Sequence, residues 1–215
     1  MCYSKELSKT SFIFGIVSGL ALIKLGNKKS LNTNKAIGFF FMFVSLMQLI
    51  EYFIWKDLDC NKGMNRLASI FGPILNHLQP IVMLGIFNYF TESNGTISKE
   101  ILLGTNSLYL IYVFNKYKQF LENKNNLCVG LNNENHINWT WKQDFNYGIY
   151  IFMSFFNSVN YFHNKNYLLN FILSYTLLAI SMLNFKQNIG EFWCLLVTGL
   201  PLFNIGLQKI FCIDN

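Results

Sequence analysis

The chain has 215 residues, of which 52% are hydrophobic and 17% aromatic, while 13% are charged, about half the roughly 25% usual for soluble domains. So little charge cannot coat a water-soluble globule, and it suits a chain whose solvent is mostly lipid. The net charge of +6 comes from lysines flanking apolar runs, with no basic run and no nucleic-acid motif, so a nucleic-acid partner is excluded and the lipid bilayer is the expected one.

Seven apolar segments follow one another, at about 10–25, 36–55, 67–90, 101–120, 147–162, 167–185 and 191–212, each near the roughly 20 residues that cross a hydrocarbon core. Transmembrane strands would be half as long and would alternate apolar with polar residues. The expected fold is therefore an all-α membrane protein, a single domain over 1–215 with a bundle of about seven transmembrane helices. The first segment has the outline of a signal peptide, with Lys5 and Lys9 before a short apolar run. No small-x-small cleavage site precedes Lys28 and Lys29, so it reads as a retained span.

The second segment carries Gln48 and Glu51 one turn apart, and the third carries Asn76, His77 and Gln79. Polar and ionisable groups inside spans are costly, and they face a protein interior or a wet cavity. A short loop makes these two segments neighbours, so the five side chains form a candidate intramembrane cluster, with His77 expected against the second helix beside Gln48 or Glu51. A carboxylate and an imidazole at low dielectric are raw material for proton transfer or cation binding; interhelical hydrogen bonding is the structural alternative. Pro73 and Pro80 each remove a backbone donor, so this helix should bend around His77, and Pro201 with Asn204 marks a similar break in the last segment. The fourth segment is interrupted by Thr105, Asn106 and Ser107.

A polar, Asn-rich loop at about 121–146 lacks hydrophobic periodicity; loops of that length are functional or disordered. His136, Trp139 and Trp141 within it form a candidate binding site, although tryptophans at one level also suit an interfacial belt. His77, His136 and His163 fall at three different depths of a seven-span chain, so they cannot share a metal. The sequence carries no GxSxG, P-loop or dinucleotide fingerprint, and no catalytic residues, metal or cofactor are assigned.

The lysines between Lys24 and Lys35 favour a cytoplasmic first loop, but the total count of lysines on the two sides does not. The cysteines suggest an orientation. With seven spans Cys2, Cys60, Cys128 and Cys194 fall on one face, opposite Cys212. Thiols gathered on one side point to disulfides on the oxidising face, with the N-terminus outside and the C-terminus cytoplasmic. A tetrathiolate zinc site remains an alternative, although no CxxC pair is present. Four cysteines allow three pairings. Cys60 and Cys128 sit in loops that can travel, whereas Cys2 and Cys194 are tied to the mouths of the first and last helices. The expected bridges are therefore Cys60–Cys128 and Cys2–Cys194.

Several short motifs recur in one family. They are Met1-Cys-Tyr-Ser4, Glu51 before Trp55 and Cys60, Leu78-Gln-Pro80, Cys128 followed by His136 and two tryptophans, and Trp193-Cys194. Together they resemble an uncharacterised family of multi-pass membrane proteins from bacteria and from large DNA viruses of AT-rich genome. The resemblance implies seven or so helices and a cysteine-linked outer face, and no particular activity. The expected function is that of a receptor-like or scaffold bundle with a disulfide-pinned outer cap, and the alternative is proton or cation permeation through the Glu51 and His77 region.

Overall fold

The computed structural model describes residues 4–133, 135–184 and 189–210. Among them are nine α-helices: α1 (Lys5–Leu25), α2 (Leu31–Trp55), α3 (Met64–His77), α4 (Gln79–Phe90), α5 (Lys99–Glu122), α6 (Tyr147–Ser158), α7 (Lys165–Asn184), α8 (Ile189–Val197) and α9 (Leu200–Ile210). Side-chain caps start several of them by satisfying first-turn amides. Ser4 accepts from the Leu7 N–H, Ser98 from Ile101, and Asn146 from Gly148 and Ile149.

Each of the seven apolar segments is helical, and two are broken in two. The α3–α4 pair bends by 54° at Leu78, and α8 gives way to α9 at Thr198 and Gly199. Proline is the second residue of the new helix both times, at Pro80 and Pro201. A proline there has no N–H for the carbonyl four residues back, and its ring crowds that carbonyl. Pro73, by contrast, stays inside α3.

The expectation of seven spans is met only in part. Three helical stretches, at Lys5–Leu25, Lys28–Trp55 and Lys165–Asn184, are long and apolar enough to cross a membrane, and a fourth is added if the bent α3–α4 pair counts as one. The remainder fall short for separate reasons. The 24 residues of α5 include three polar positions in mid-helix and lysines at its end. In α6 there are only 12 residues, and the break divides the last segment into helices of 9 and 11.

α2 is the hub, touching α1, α3, α4, α7, α8 and α9. Its closest approach is to α1, where backbone meets backbone. A Cβ on Gly19 would lie 2.8 Å from the Gly38 carbonyl oxygen, and one on Gly38 equally close to that of Gly19. Gly15 and Gly19 form a GxxxG pair, which permits this contact.

Polarity across the helices runs opposite to that of a soluble bundle. On α1 the buried positions are Ser8, Ser11, Gly15, Ser18, Gly19 and Leu22, while Ile13, Phe14, Val17 and Leu20 are exposed. On α7 Asn166, Tyr167, Asn170, Ser174 and Ser181 are buried, while Ile172, Ile180, Met182 and Leu183 are exposed. The buried polar groups pair with one another across helices. Asn106 and Asn157 exchange two amide hydrogen bonds of 2.8 and 2.9 Å, and Asn166 donates to Ser30 at 2.7 Å. Gln208 donates to Asn34 and Asn204 and accepts from the Asn27 N–H.

The long loop is folded. Short 3-10 turns at Lys124–Leu127 and Thr140–Gln143 and an isolated bridge between Leu131 and Ile137 shape it. Val129, Ile137 and Trp141 are wholly buried, and Trp139 nearly so. A Cys60–Cys128 disulfide, Cα–Cα 6.1 Å, ties the loop to the α2–α3 turn. The expected partner of Cys194, Cys2, lies outside the described residues, as does Cys212; Cys194 itself is buried.

Beside the disulfide, the Asn65 side chain imitates a strand edge. It donates to the Val129 carbonyl at 2.8 Å and accepts from the Val129 N–H at 3.0 Å. Asp57 organises the turn from which Asn65 springs, accepting from the Lys62 and Asn65 amides at 2.9 and 3.2 Å. Burial alone would raise the Asp57 carboxyl, but backbone N–H groups of Lys62, Asn65, Met64 and Asn61 outweigh it and hold it below the usual carboxylate value. A depressed folded-state value stabilises above the unfolded one and is lost as pH falls through both. The cap is therefore expected to weaken on acidification below about pH 4. Asp57→Asn should be weaker at neutral pH and show less change across that range. Cap unfolding followed by tryptophan emission at stepped pH checks this, and an identical acid profile in the variant would count against it.

Candidate functional site

The five side chains singled out within the apolar segments are all buried: Gln48 and Glu51 have no exposed surface, His77 and Gln79 have 1%, and Asn76 has 4%. On α2, Gln48 and Glu51 are three residues apart and so share a face. A groove of the α2–α3 pair is lined by Phe43, Leu46, Leu49 and Ile50 together with Phe71, Ile74, Leu75 and Leu78.

His77 sits at the end of α3, just before the bend. Its ring stacks on Phe145 with centroids 4.1 Å apart and planes 12° from parallel, and Tyr147 and Tyr150 complete the surround at 5.7 Å each. Neither ring nitrogen makes a hydrogen bond within the protein. The expected α2 neighbours, Gln48 and Glu51, are buried as well, and neither makes a hydrogen bond to the ring. The ring's aromatic contacts come from the cap and α6, because the break at Leu78 ends α3 under the loop. The break also explains the backbone. With Ile81 bonding to Leu78 instead, the His77 carbonyl accepts from the Tyr109 hydroxyl at 2.8 Å. Likewise the Pro80 carbonyl accepts from Asn157 at 3.0 Å.

Gln79 accepts from the Tyr150 hydroxyl at 2.6 Å, while its own Nε2 bonds to nothing in the protein. The same is true of Asn76 Nδ2, of both amide atoms of Gln48, and of the indole nitrogens of Trp139 and Trp141. Most buried polar groups in folded proteins are paired, and an orphan costs about 1–3 kcal/mol. The orphans here are mainly N–H donors, and they come from α2, the α3–α4 bend and the cap. An acceptor-rich polar guest, water included, would satisfy them.

The loop residues have roles different from those their sequence suggests. Trp139 and Trp141 are stacked on each other with centroids 5.1 Å apart, and Trp141 meets Phe120 edge-on. They form the buried interior of the cap. His136 is partly buried at the bridge, and its backbone N–H donates to the Asn132 side chain at 3.0 Å. The loop thus brings Phe145 against His77 and Trp141 against Gly72 of α3.

Several contributors were not evident beforehand, namely Tyr109, Tyr150, Phe145 and the Asn106–Asn157 pair. The asparagines carried a signal, since each is an amide within an apolar segment. The tyrosines carried none, because a tyrosine in a span reads as bulk or belt until its hydroxyl is seen to meet a freed carbonyl. Among the described residues no three of His, Cys, Asp and Glu come together as a metal-ligating group. The imidazole thus sits in an aromatic surround, flanked in sequence by Asn76 and Gln79, whose amide nitrogens have no partner in the protein.

Because neither nitrogen of His77 is bonded within the protein, His77→Phe is expected to leave the melting temperature unchanged or raise it. It keeps the stack on Phe145 and removes two orphan polar atoms. Thermal unfolding of the purified protein in detergent measures this, and a fall of several degrees would mean the imidazole has a stabilising partner. No protein-family profile, curated protein or solved structure matches the chain.

Proposed function

We propose that the chain is an integral multi-pass membrane protein of seven spans, of receptor or scaffold type, whose outer cap is pinned by the Cys60–Cys128 disulfide over a buried polar site. The observation that carries it is the reversed polarity of α1 and α7, which bury serine and asparagine and expose leucine, isoleucine and phenylalanine. Water would penalise such surfaces, whereas lipid does not distinguish them from its own tails. The short α6 and the two broken segments cross as composite spans, their breaks covered by neighbouring helices. In this reading the N-terminus is outside, the C-terminus is cytoplasmic, and the chain belongs with the bacterial and viral family that its motifs resemble.

Asn32 and Asn138 are exposed, at the start of α2 and in the cap. In intact cells, an impermeant maleimide is expected to label Asn138→Cys and to reach Asn32→Cys only after permeabilisation. Labelling of both from one side would end the seven-span reading, and labelling of Asn32→Cys alone would reverse the orientation.

The orphan donors beside Glu51 and His77 favour a second reading, permeation of protons or cations. Against a continuous path, Asn106 and Asn157 farther in are bonded to each other. Liposomes loaded with a pH-sensitive dye decide between the two. Proton flux in the wild type that is lost in Glu51→Gln would establish permeation, and no flux in the wild type would remove it.

A further inference from the structure

A partly open cavity of about 70 Å³ lies between α2, α4, α6, α7 and α8, and Tyr150 is the wall it shares with the polar site under the cap. Its surface is almost wholly carbon, from residues such as Phe41, Met83, Phe87 and Phe171, and no charged residue lines it. Polar groups do reach it, but nearly all have used their donors. Tyr150 donates to Gln79, Tyr167 to Ser158 at 2.6 Å, and Tyr175 to the Ile151 carbonyl at 3.1 Å. Ser154 and Ser158 donate to carbonyls one turn back on α6, and Trp193 donates to the Ser174 carbonyl at 3.0 Å.

Asn170 differs from them in leaving an acceptor unpaired. It is 4% exposed, and its Nδ2 donates to the Asn166 carbonyl at 2.7 Å. That bond fixes which end of the amide is oxygen, because two carbonyl oxygens would not face each other. Its Oδ1 is left without a partner. One turn farther along the same face of α7, Ser174 also lines the cavity, with a hydroxyl able to donate or accept.

An orphan acceptor with a hydroxyl one turn away, set in a carbon-lined cavity, matches a group that both donates and accepts and carries no charge. A carboxylate or phosphate would bring charge where none compensates it, and a plain hydrocarbon would leave Asn170 unpaired at a cost. An engineered cavity of about 150 Å³ holds benzene, so the enclosed part here admits a chain and not fused rings. We propose that this cavity binds a slender neutral lipid carrying one hydroxyl, a long-chain or isoprenoid alcohol, through Asn170 and Ser174. The inference does not rest on the guest of the polar site.

The test uses the full chain in detergent with a photoreactive 1-hexadecanol bearing a mid-chain diazirine. Saturable labelling of α6 and α7 is expected. Unlabelled 1-hexadecanol should compete, and hexadecane and palmitate at neutral pH should compete at least tenfold less well. Asn170→Leu should weaken labelling about tenfold while the labelling of Asn32→Cys by maleimide is unchanged. Ser154→Phe, which fills the cavity from another helix, should abolish it. Equal competition by hexadecane or palmitate overturns the assignment in the wild type alone, whatever the variants do. So does labelling that never saturates or that spreads over the exposed faces of α1 and α5.

Discussion

Replacing both Cys60 and Cys128 with serine is expected to free the cap, at a cost of up to about 4 kcal/mol in its stability. The bridge spans a sequence separation of 68 residues, and chain-entropy arguments give that figure for a loop of such length in a random coil. The true loss should be smaller, because α3 to α5 stay packed when the cap opens and already restrict where the two residues can go. Two of the four tryptophans, Trp139 and Trp141, are in the interior of the cap, so its opening reports directly in emission. The serine variant, or the wild type under reductant, should show red-shifted emission and early proteolysis between α5 and α6, with helix content retained. Unchanged emission and protease resistance would mean that the Asn65 clamp and the buried tryptophans hold the loop without the bridge.

Gly72→Val is expected to have a comparable effect by a different route. A Cβ at this position would lie 2.5 Å from Trp141 Cη2 and close to 3 Å from two further ring carbons. The indole has nowhere to retreat, being wholly buried, stacked on Trp139 and set against Phe120. Overpacking a filled interior costs about 1–3 kcal/mol, and more when neighbours cannot yield. The loss should appear as a lower cap melting point and a tryptophan red shift at a temperature where the wild type is intact. Gly85→Val in α4, where a Cβ meets nothing, is the control and should be nearly silent. Similar melting of the two variants would show that Trp141 does not seat on α3 as described.

Sequence by itself determined the helices and most of their ends. Apolar length marked all seven segments, and the chemistry of proline placed the bend beside His77 and the break before α9, because a missing N–H is a local property. The same holds for the burial of Gln48, Glu51, Asn76, His77 and Gln79, since an amide or imidazole in a long apolar run has no other economical place. The Cys60–Cys128 pairing was reachable too, by asking which loops could travel to meet.

Only the tertiary structure decided what these groups touch. Periodicity says which residues share a face, but not which helix packs against that face. His77 therefore stacks on Phe145 beside Tyr147 and Tyr150, contacts that no spacing in the sequence announced. The Asn-rich loop has no apolar repeat, yet it folds around Trp139 and Trp141. Its order comes from one covalent tie, one asparagine imitating a strand edge on Val129, and the absence of a side chain at Gly72. Each of these joins residues far apart along the chain, and spacing along a sequence carries no record of such contacts.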